Sequence, residues 1–264
     1  MLSQQKLEEI NTSLPTLDDR FLIATSRGPS IDINDLIKGE SLGVALVCLE
    51  DAGERFNLVR FSLYEALACL TWYRNESPKA PLEGEAVLTG KFYADYAALL
   101  LYAMGEDIAA FIINFLGVDA QLKNYLQDNE PRLKRKNVFS TAAKVGIFMT
   151  SQYPNAPITE SILALNKDQS WQKAISYRNA WVHEKPPIIH GLGIQYDRRS
   201  RVSKDGKSIS FGGGSEHKYT VDELLRIAIS ATEASAKTLS ALLDIVIKRR
   251  EGLGEKLDFI LRLD

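Results

Sequence analysis

The chain has 264 residues, its 32 Lys and Arg nearly balance its 34 Asp and Glu, and its pI is near 6.0. This balance excludes bulk charge as a driving force for binding nucleic acid or membrane, so such binding would need a local patch. The length and the 45% hydrophobic content allow a single domain with a large core.

The cysteines and the apolar runs indicate a cytoplasmic protein without a membrane partner. Cys48 and Cys69 are the only cysteines, stand far apart and lack metal-ligand spacing, which predicts two reduced, buried thiols. The N-terminal residues are too polar for a signal peptide. No apolar run, Ala97–Ala103 included, approaches the roughly 18 residues that a membrane span needs.

Apolar residues recur at spacings of three and four along most of the chain, which predicts amphipathic helices. Residues 87–116 are apolar on more than one face, so we expect them to form the central helix. Thr220 and Glu223 have the spacing of a capping box that opens the last helix. In chain order, the predicted helices are 3–12, 41–73, 87–116, 119–127, 135–152, 168–184 and 220–250, with a helical turn at Thr159–Leu165.

The segment 188–219 departs from this helical pattern. Ile188–Tyr196 and Val202–Phe211 alternate weakly, and Asp205-Gly206 is typical of a tight turn, so we predict a small β-hairpin. The fold class is therefore all-α, a helical bundle with a β-hairpin insertion. We expect one domain over 1–264: an N-terminal appendage (1–40), a bundle (41–184 and 220–250) and the insertion (188–219).

Residues 176–186, Ser-Tyr-Arg-Asn-Ala-Trp-Val-His-Glu-Lys-Pro, carry an arginine where a plain helix would have an apolar residue. Arg178 projects near the middle of an apolar stripe, and Asn179 and His183 lie four apart at its edge. A guanidinium is costly to bury unless it is paired or has a function. The stripe consists of Trp171, Ala174, Ile175, Trp181 and Val182.

These three polar side chains are suited to cleaving RNA without a metal ion. An imidazole can remove the 2′-hydroxyl proton, and an arginine can stabilise the charge that develops on the attacked phosphate. An amide can hold the phosphate or orient the imidazole. The alternative is structural: Arg178 would pair with a core carboxylate, and His183 would face the C-terminal carbonyls of its helix.

The run Arg-Asn-Ala-Trp-Val-His resembles the R-x(4–6)-H signature of the HEPN family (higher eukaryotes and prokaryotes nucleotide-binding domains), including the polar residue after the arginine. The resemblance implies a helical bundle that forms a homodimer through the motif helix. It also implies a metal-independent endoribonuclease without a cofactor, as in toxin–antitoxin or phage-defence systems. Arg178 and His183 would be catalytic, and Asn179 would support them. A separate antitoxin or nucleotidyltransferase could be a partner.

Two basic clusters could bind the RNA backbone through phosphate contacts. We predict that the second, near the hairpin, is the RNA-binding one, since Tyr196 and Phe211 flank it and could stack on bases. Solvated charged loops are the alternative for both. The first cluster is Arg132, Lys134, Arg135 and Lys136, and the predicted RNA-binding residues of the second are Arg198, Arg199, Arg201 and Lys204.

Other function classes stay open on the sequence alone. The same fold could serve as a non-catalytic helical module that binds RNA, a nucleotide or a protein. Gly39–Gly43 matches a nucleophile elbow, although that motif needs a preceding strand in an α/β chain, and Ser41 as a helix cap explains it better. The three histidines, His183, His190 and His217, show no metal-ligand spacing, so no metal site is predicted.

Overall fold

The computed structural model describes residues 2–21, 41–76, 82–129, 141–183, 187–192, 196–202, 209–214 and 217–252. These ranges are mostly helical, as expected for an all-α protein. They contain α1 (Gln4–Ser13), α2 (Ser41–Thr71), a π-helical turn (Trp72–Glu76), α3 (Glu83–Leu116), α4 (Asp119–Asn129), α5 (Ala142–Gln152), α6 (Pro157–Lys167), α7 (Gln169–His183), β1 (Tyr196–Val202), β2 (Ile209–Gly214) and α8 (Val221–Gly252).

The two long helices α2 and α3 form the centre of the bundle and run antiparallel. Arg55 of α2 pairs with Asp107 of α3, and further along α2 the Ser62 hydroxyl donates to the carbonyl of Tyr93, 3.0 Å away. Between these contacts the helices bury apolar side chains that lose their water-accessible surface on folding. The fully buried members include Phe56, Leu63, Leu101, Ile108 and Ile112.

The last helix, α8, packs against α2, α3, α6 and α7 and so closes the bundle. Its first turn is a capping box. The backbone N–H of Thr220 donates to Oε2 of Glu223 at 2.8 Å, and the N–H of Glu223 donates to the Thr220 hydroxyl at 3.1 Å. The Thr220–Glu223 prediction is therefore confirmed, and the start of α8 is fixed by two reciprocal bonds that satisfy free backbone donors.

Three helix boundaries differ from the predictions by several residues. The helix predicted at 135–152 begins at Ala142, after its cap residue Thr141, and 135–140 lie outside the described residues. Thr159–Leu165, predicted as a turn, is the middle of α6, which starts with Pro157 at its first position and buries Ile158, Ile162 and Leu165. A proline suits the first helical turn, and the buried spacings of four and three extend the pattern into a full helix. α3 begins at Glu83, four residues before the first predicted residue, because the two glutamates of its first turn favour a helix N-terminus.

The strands β1 and β2 pair in antiparallel register, with Val202 opposite Ile209 and an irregularity near Asp197. The predicted strand Ile188–Tyr196 is wrong for 188–192. There, Ile189 makes an isolated bridge with Tyr219, and Gly191 turns the chain with a φ of 92°. The predicted turn Asp205-Gly206 lies outside the described residues, and the hairpin insertion into a HEPN-like bundle stays a prediction.

The helix α3 is long and apolar enough to cross a membrane by length and composition, the one such helix in the described part of the chain. More than half of its most apolar window is buried inside the bundle, as in a core helix. The chain is therefore not clearly a membrane protein.

Candidate functional site

The motif helix α7 is placed by contacts at both of its ends. At its start, the N–H of Trp171 donates to Oδ1 of Asp168 at 2.8 Å, an N-terminal cap. The Trp171 ring is buried against α3, where a Cβ on Gly105 would lie 3.0 Å from its Cζ2 atom. The glycine thus lets α7 approach α3 closely.

A buried polar contact holds the second half of α7 on α3. The Tyr177 hydroxyl donates to Oδ1 of Asp95 at 2.5 Å, and Lys91 bonds to Oδ2 of the same carboxylate. Burial, followed by the charge of Asp95, raises the pKa of Tyr177. The Tyr219 ring meets that of Tyr177 edge-on at 5.7 Å. Tyr177, one residue before the motif arginine, is therefore a fixed point of the helix.

Arg178 lies half-buried, with its guanidinium stacked on an aromatic ring. Its Cζ atom is 3.7 Å from the centroid of the Tyr102 ring on α3, a cation–π contact. Its Nη1 atom donates to Oδ1 of Asn179 at 3.1 Å, and its Nε atom is buried with no hydrogen-bond partner in the ranges that the structure describes. None of the described carboxylates forms an ion pair with it, so the structural alternative of a core salt bridge finds no support in these residues.

The imidazole of His183 is exposed at the end of α7 and meets the guanidinium. Nε2 of His183 is 3.1 Å from Nη1 of Arg178. A guanidinium donates and never accepts, so this contact requires a lone pair on Nε2. A neutral His183 in this arrangement carries its proton on Nδ1. The site thus joins a cation to an unprotonated imidazole nitrogen, the two groups that the predicted chemistry needs.

Tyr102 was not predicted from the sequence, because it lies within the apolar α3 segment, far from the motif along the chain. Its neighbour one turn on is Glu106. Burial first, then the charge of Glu106, raises the pKa of Tyr102. A possible signal was the polar groups of Asp95, Tyr102 and Glu106, which recur on one face of a helix that is otherwise apolar.

The apolar stripe predicted for α7 is only partly buried. Trp171 and Ala174 belong to the core, as does Tyr177, whereas Val182 is 45% exposed. The prediction that Val182 joins a buried face is therefore wrong in this chain. The apolar end of α7 beside His183 faces outward and is open to a partner.

Two arginines outside the motif helix, Arg60 and Arg74, lie in contacts away from Arg178 and His183. Arg60 donates to the carbonyls of Asn11 and Pro15, and Arg74 bridges Glu83 and Asp222. Of the predicted RNA-binding residues, Arg198, Arg199 and Arg201 lie in β1, which is described by its backbone. Lys204 lies outside the described residues, as do Arg132, Lys134, Arg135 and Lys136.

The other two histidines come together in space although the sequence separates them. The rings of His190 and His217 meet edge-on at 4.9 Å, on either side of the bridge between Ile189 and Tyr219. Within the described ranges, no group of three or more His, Cys, Asp and Glu is arranged to hold a metal ion. Cys48 and Cys69 are free thiols, half-buried rather than buried as predicted.

Comparisons with known proteins give no match that bears on this site. No family model, no curated protein and no solved structure compared with the chain matches it. The function must therefore be argued from the side chains themselves.

Proposed function

We propose that this chain is a HEPN-like, metal-independent endoribonuclease, with Arg178 and His183 as its catalytic pair. The observation that carries the proposal is the 3.1 Å contact between Nη1 of Arg178 and Nε2 of His183. A cation and an unprotonated imidazole nitrogen lie within reach of one phosphodiester. Asn179, bonded to the same guanidinium nitrogen, limits the directions in which that nitrogen can point.

In the proposed reaction the imidazole accepts and donates protons, and the guanidinium stabilises the negative charge on the phosphate. Nε2 of His183 accepts the 2′-hydroxyl proton as the 2′-oxygen bonds to phosphorus and the bond to the 5′-oxygen breaks. The departing 5′-oxygen receives a proton from a His183 imidazolium. Arg178 donates to the phosphate oxygens meanwhile. The products are a 2′,3′-cyclic phosphate and a 5′-hydroxyl end, so the RNA must carry a 2′-hydroxyl at the cleaved position.

The proposed enzyme is a homodimer in which two motif helices face each other. An exposed apolar stripe on α3 supports this: Leu88, Phe92 and Tyr96 are 61%, 65% and 46% exposed and recur every fourth residue on one face. Because α7 contacts α3 at Asp95 and at Gly105, it runs antiparallel to α3 and its exposed end lies toward this stripe. A contiguous exposed apolar surface beside a site marks a protein interface.

Substrate RNA would reach Arg178 and His183 along the strands that follow α7. Arg198, Arg199 and Arg201 of β1, with Lys204, are the proposed phosphate contacts, and such contacts bind RNA without reading its sequence. We place the enzyme in the cytoplasm, in a toxin–antitoxin or phage-defence setting. A separate antitoxin or nucleotidyltransferase is its proposed regulatory partner.

The test is cleavage of mixed RNAs by the purified chain in EDTA. We expect wild-type cleavage with 2′,3′-cyclic phosphate ends, and a loss of at least about 100-fold in His183→Ala, the scale of a general base. The matched control is His190→Ala, which removes another exposed histidine. For Arg178→Ala the control is Lys173→Ala, an exposed cation on the same helix.

Two results would reject the enzymatic proposal. One is no cleavage by the wild type, and the other is equal cleavage by wild type and His183→Ala. If such a protein still binds RNA, and Arg178→Ala weakens that binding, the chain is the non-catalytic RNA-binding module instead. RNA with 2′-O-methyl groups allows binding to be measured without cleavage in both cases, because this chemistry cannot cleave it.

A further inference from the structure

The position of the Arg178 guanidinium depends on a residue outside its own helix. An arginine side chain has many rotamers, and its order costs about 2 kcal/mol of conformational entropy unless contacts hold it. Its hydrogen-bond partners in the described part of the chain, Asn179 and His183, belong to α7 itself, and His183 is exposed. Neither anchors the guanidinium to the rest of the bundle. The Tyr102 ring, 3.7 Å from Cζ, does.

The buried Nε atom of Arg178 points to the same conclusion. A buried N–H without an acceptor carries a desolvation cost, and Nε has no hydrogen-bond partner among the described residues. The negative face of the Tyr102 ring compensates the cation directly, since cation–π attraction strengthens where water is excluded. The guanidinium therefore stays over the ring, with its Nη1 atom directed at His183.

The Tyr102 ring is itself held in place. Tyr102 is half-buried on α3, the helix with the most buried residues in the described part of the bundle. A series of contacts therefore connects α3 to His183, through the Tyr102 ring and then Arg178.

We propose that Tyr102 is a positioning residue, whose ring holds Arg178 so that Nη1 stays bonded to Nε2 of His183 and keeps the imidazole proton on Nδ1. In the resting protein the Nε2 lone pair accepts from Nη1, so it becomes available as a base when a substrate phosphate takes over the Nη1–H donor. The structural part of the proposal stands without any enzyme activity. Its catalytic consequence, an imidazole already in the Nδ1–H tautomer when the phosphate binds Arg178, rests on the proposed ribonuclease function.

The first experiment reads the tautomer of His183 by ¹⁵N NMR of the imidazole rings at alkaline pH, where free imidazoles are neutral. The wild type should show the protonated nitrogen at Nδ1. Tyr102→Phe keeps the ring face and should keep this signature. Tyr102→Met fills the space without a π-face and should shift His183 toward the Nε2–H tautomer that prevails in water.

A matched control separates loss of the ring from general loosening. Tyr125, a half-buried tyrosine of α4, packs edge-on against Phe148 and does not contact Arg178. Tyr125→Met should leave the His183 signature unchanged. A Tyr102→Met protein that folds and keeps the wild-type tautomer would overturn the proposal, as would a tautomer change in Tyr125→Met of the same size.

A second measurement uses the wild type alone and so does not depend on a variant folding. The Nε–H of Arg178 should give a slowly exchanging resonance, moved upfield by the ring beneath it. A resonance that exchanges as fast as that of an exposed arginine would reject the stacked position. If these signatures hold while wild type and His183→Ala show no RNA cleavage, the positioning role stands and the ribonuclease proposal alone fails.

Discussion

The hydroxyl of Tyr177 donates to Oδ1 of Asp95 at 2.5 Å, inside the contact between α7 and α3. Both residues are buried, and Lys91 takes the second carboxylate oxygen. Water cannot replace this bond unless the two helices separate. The contact therefore fixes the rotation of α7 at the residue just before Arg178, and with it the direction in which the motif side chains leave the helix.

Tyr177→Phe should lower the free energy of unfolding by about 1–3 kcal/mol, because Oδ1 of Asp95 loses its partner in the core. Urea unfolding measures this change. The control is Tyr96→Phe, which removes an exposed hydroxyl from the same helix as Asp95 and should change stability by less than about 0.5 kcal/mol. Equal effects of the two substitutions would contradict a structural role for the buried bond.

Stability should fall at alkaline pH in a way that depends on Tyr177. Its pKa is raised in the folded state, first by burial and then by Asp95, so the unfolded chain loses the phenolic proton at lower pH than the folded one. The contribution is fully present below about pH 10 and is lost above it, with a slope of up to about 1.4 kcal/mol per pH unit.

Urea unfolding at about pH 8 and about pH 10.5 checks this slope. Tyr177→Phe should lose less stability between the two values than the wild type does. Tyr96→Phe should keep the wild-type slope. A Tyr177→Phe protein that loses as much stability as the wild type would show that other groups account for the alkaline dependence.

Two glycines of α3 should respond in opposite ways to alanine. At Gly105 a Cβ would lie 3.0 Å from the buried Trp171 ring, so Gly105→Ala should destabilise the protein by about 1–3 kcal/mol through overpacking. At Gly84 nothing lies within 4 Å, so Gly84→Ala should stabilise it by up to about 1 kcal/mol through helix propensity. Thermal unfolding of both variants, compared with the wild type, distinguishes these signs; a stabilised Gly105→Ala would show that Trp171 can move aside.

The proposed dimer interface can be tested at Phe92. Phe92→Ser removes the most exposed member of the apolar stripe on α3 and should shift the solution mass from dimer to monomer. Ile147→Ser is the control, since Ile147 is 58% exposed but lies on α5. Light scattering coupled to size exclusion gives the mass. A wild type that is monomeric at every concentration would rule out this interface.

Among the long helices, apolar periodicity predicted the bounds of α2 and α8 best, each within two residues. α6 was underestimated because its pattern extends over only 11 residues and contains a proline, which is read as a breaker until its place at the first turn is known. Strand positions after α7 were shifted because weak alternation with glycines does not fix a register.

For the site, the sequence predicted the motif residues but not what holds them. Arg178 and His183 are five residues apart, so ideal helix geometry does not place them on one face. They meet because the arginine side chain is long enough to reach the end of its helix. The contact between Tyr102 and Arg178 could not be inferred, since spacing along a sequence shows neighbours within a helix and not those on another helix.

Asp168 ends α6, through bonds of its N–H to the carbonyls of Ala164 and Leu165, and its carboxylate caps α7. The two helices thus share a single residue as their joint. One residue inserted there would turn every later position of α7 by about 100°. Asp168 therefore sets the rotation of the following α7 residues about the helix axis. The spacing of the motif would survive such an insertion, while its arginine would leave the Tyr102 ring.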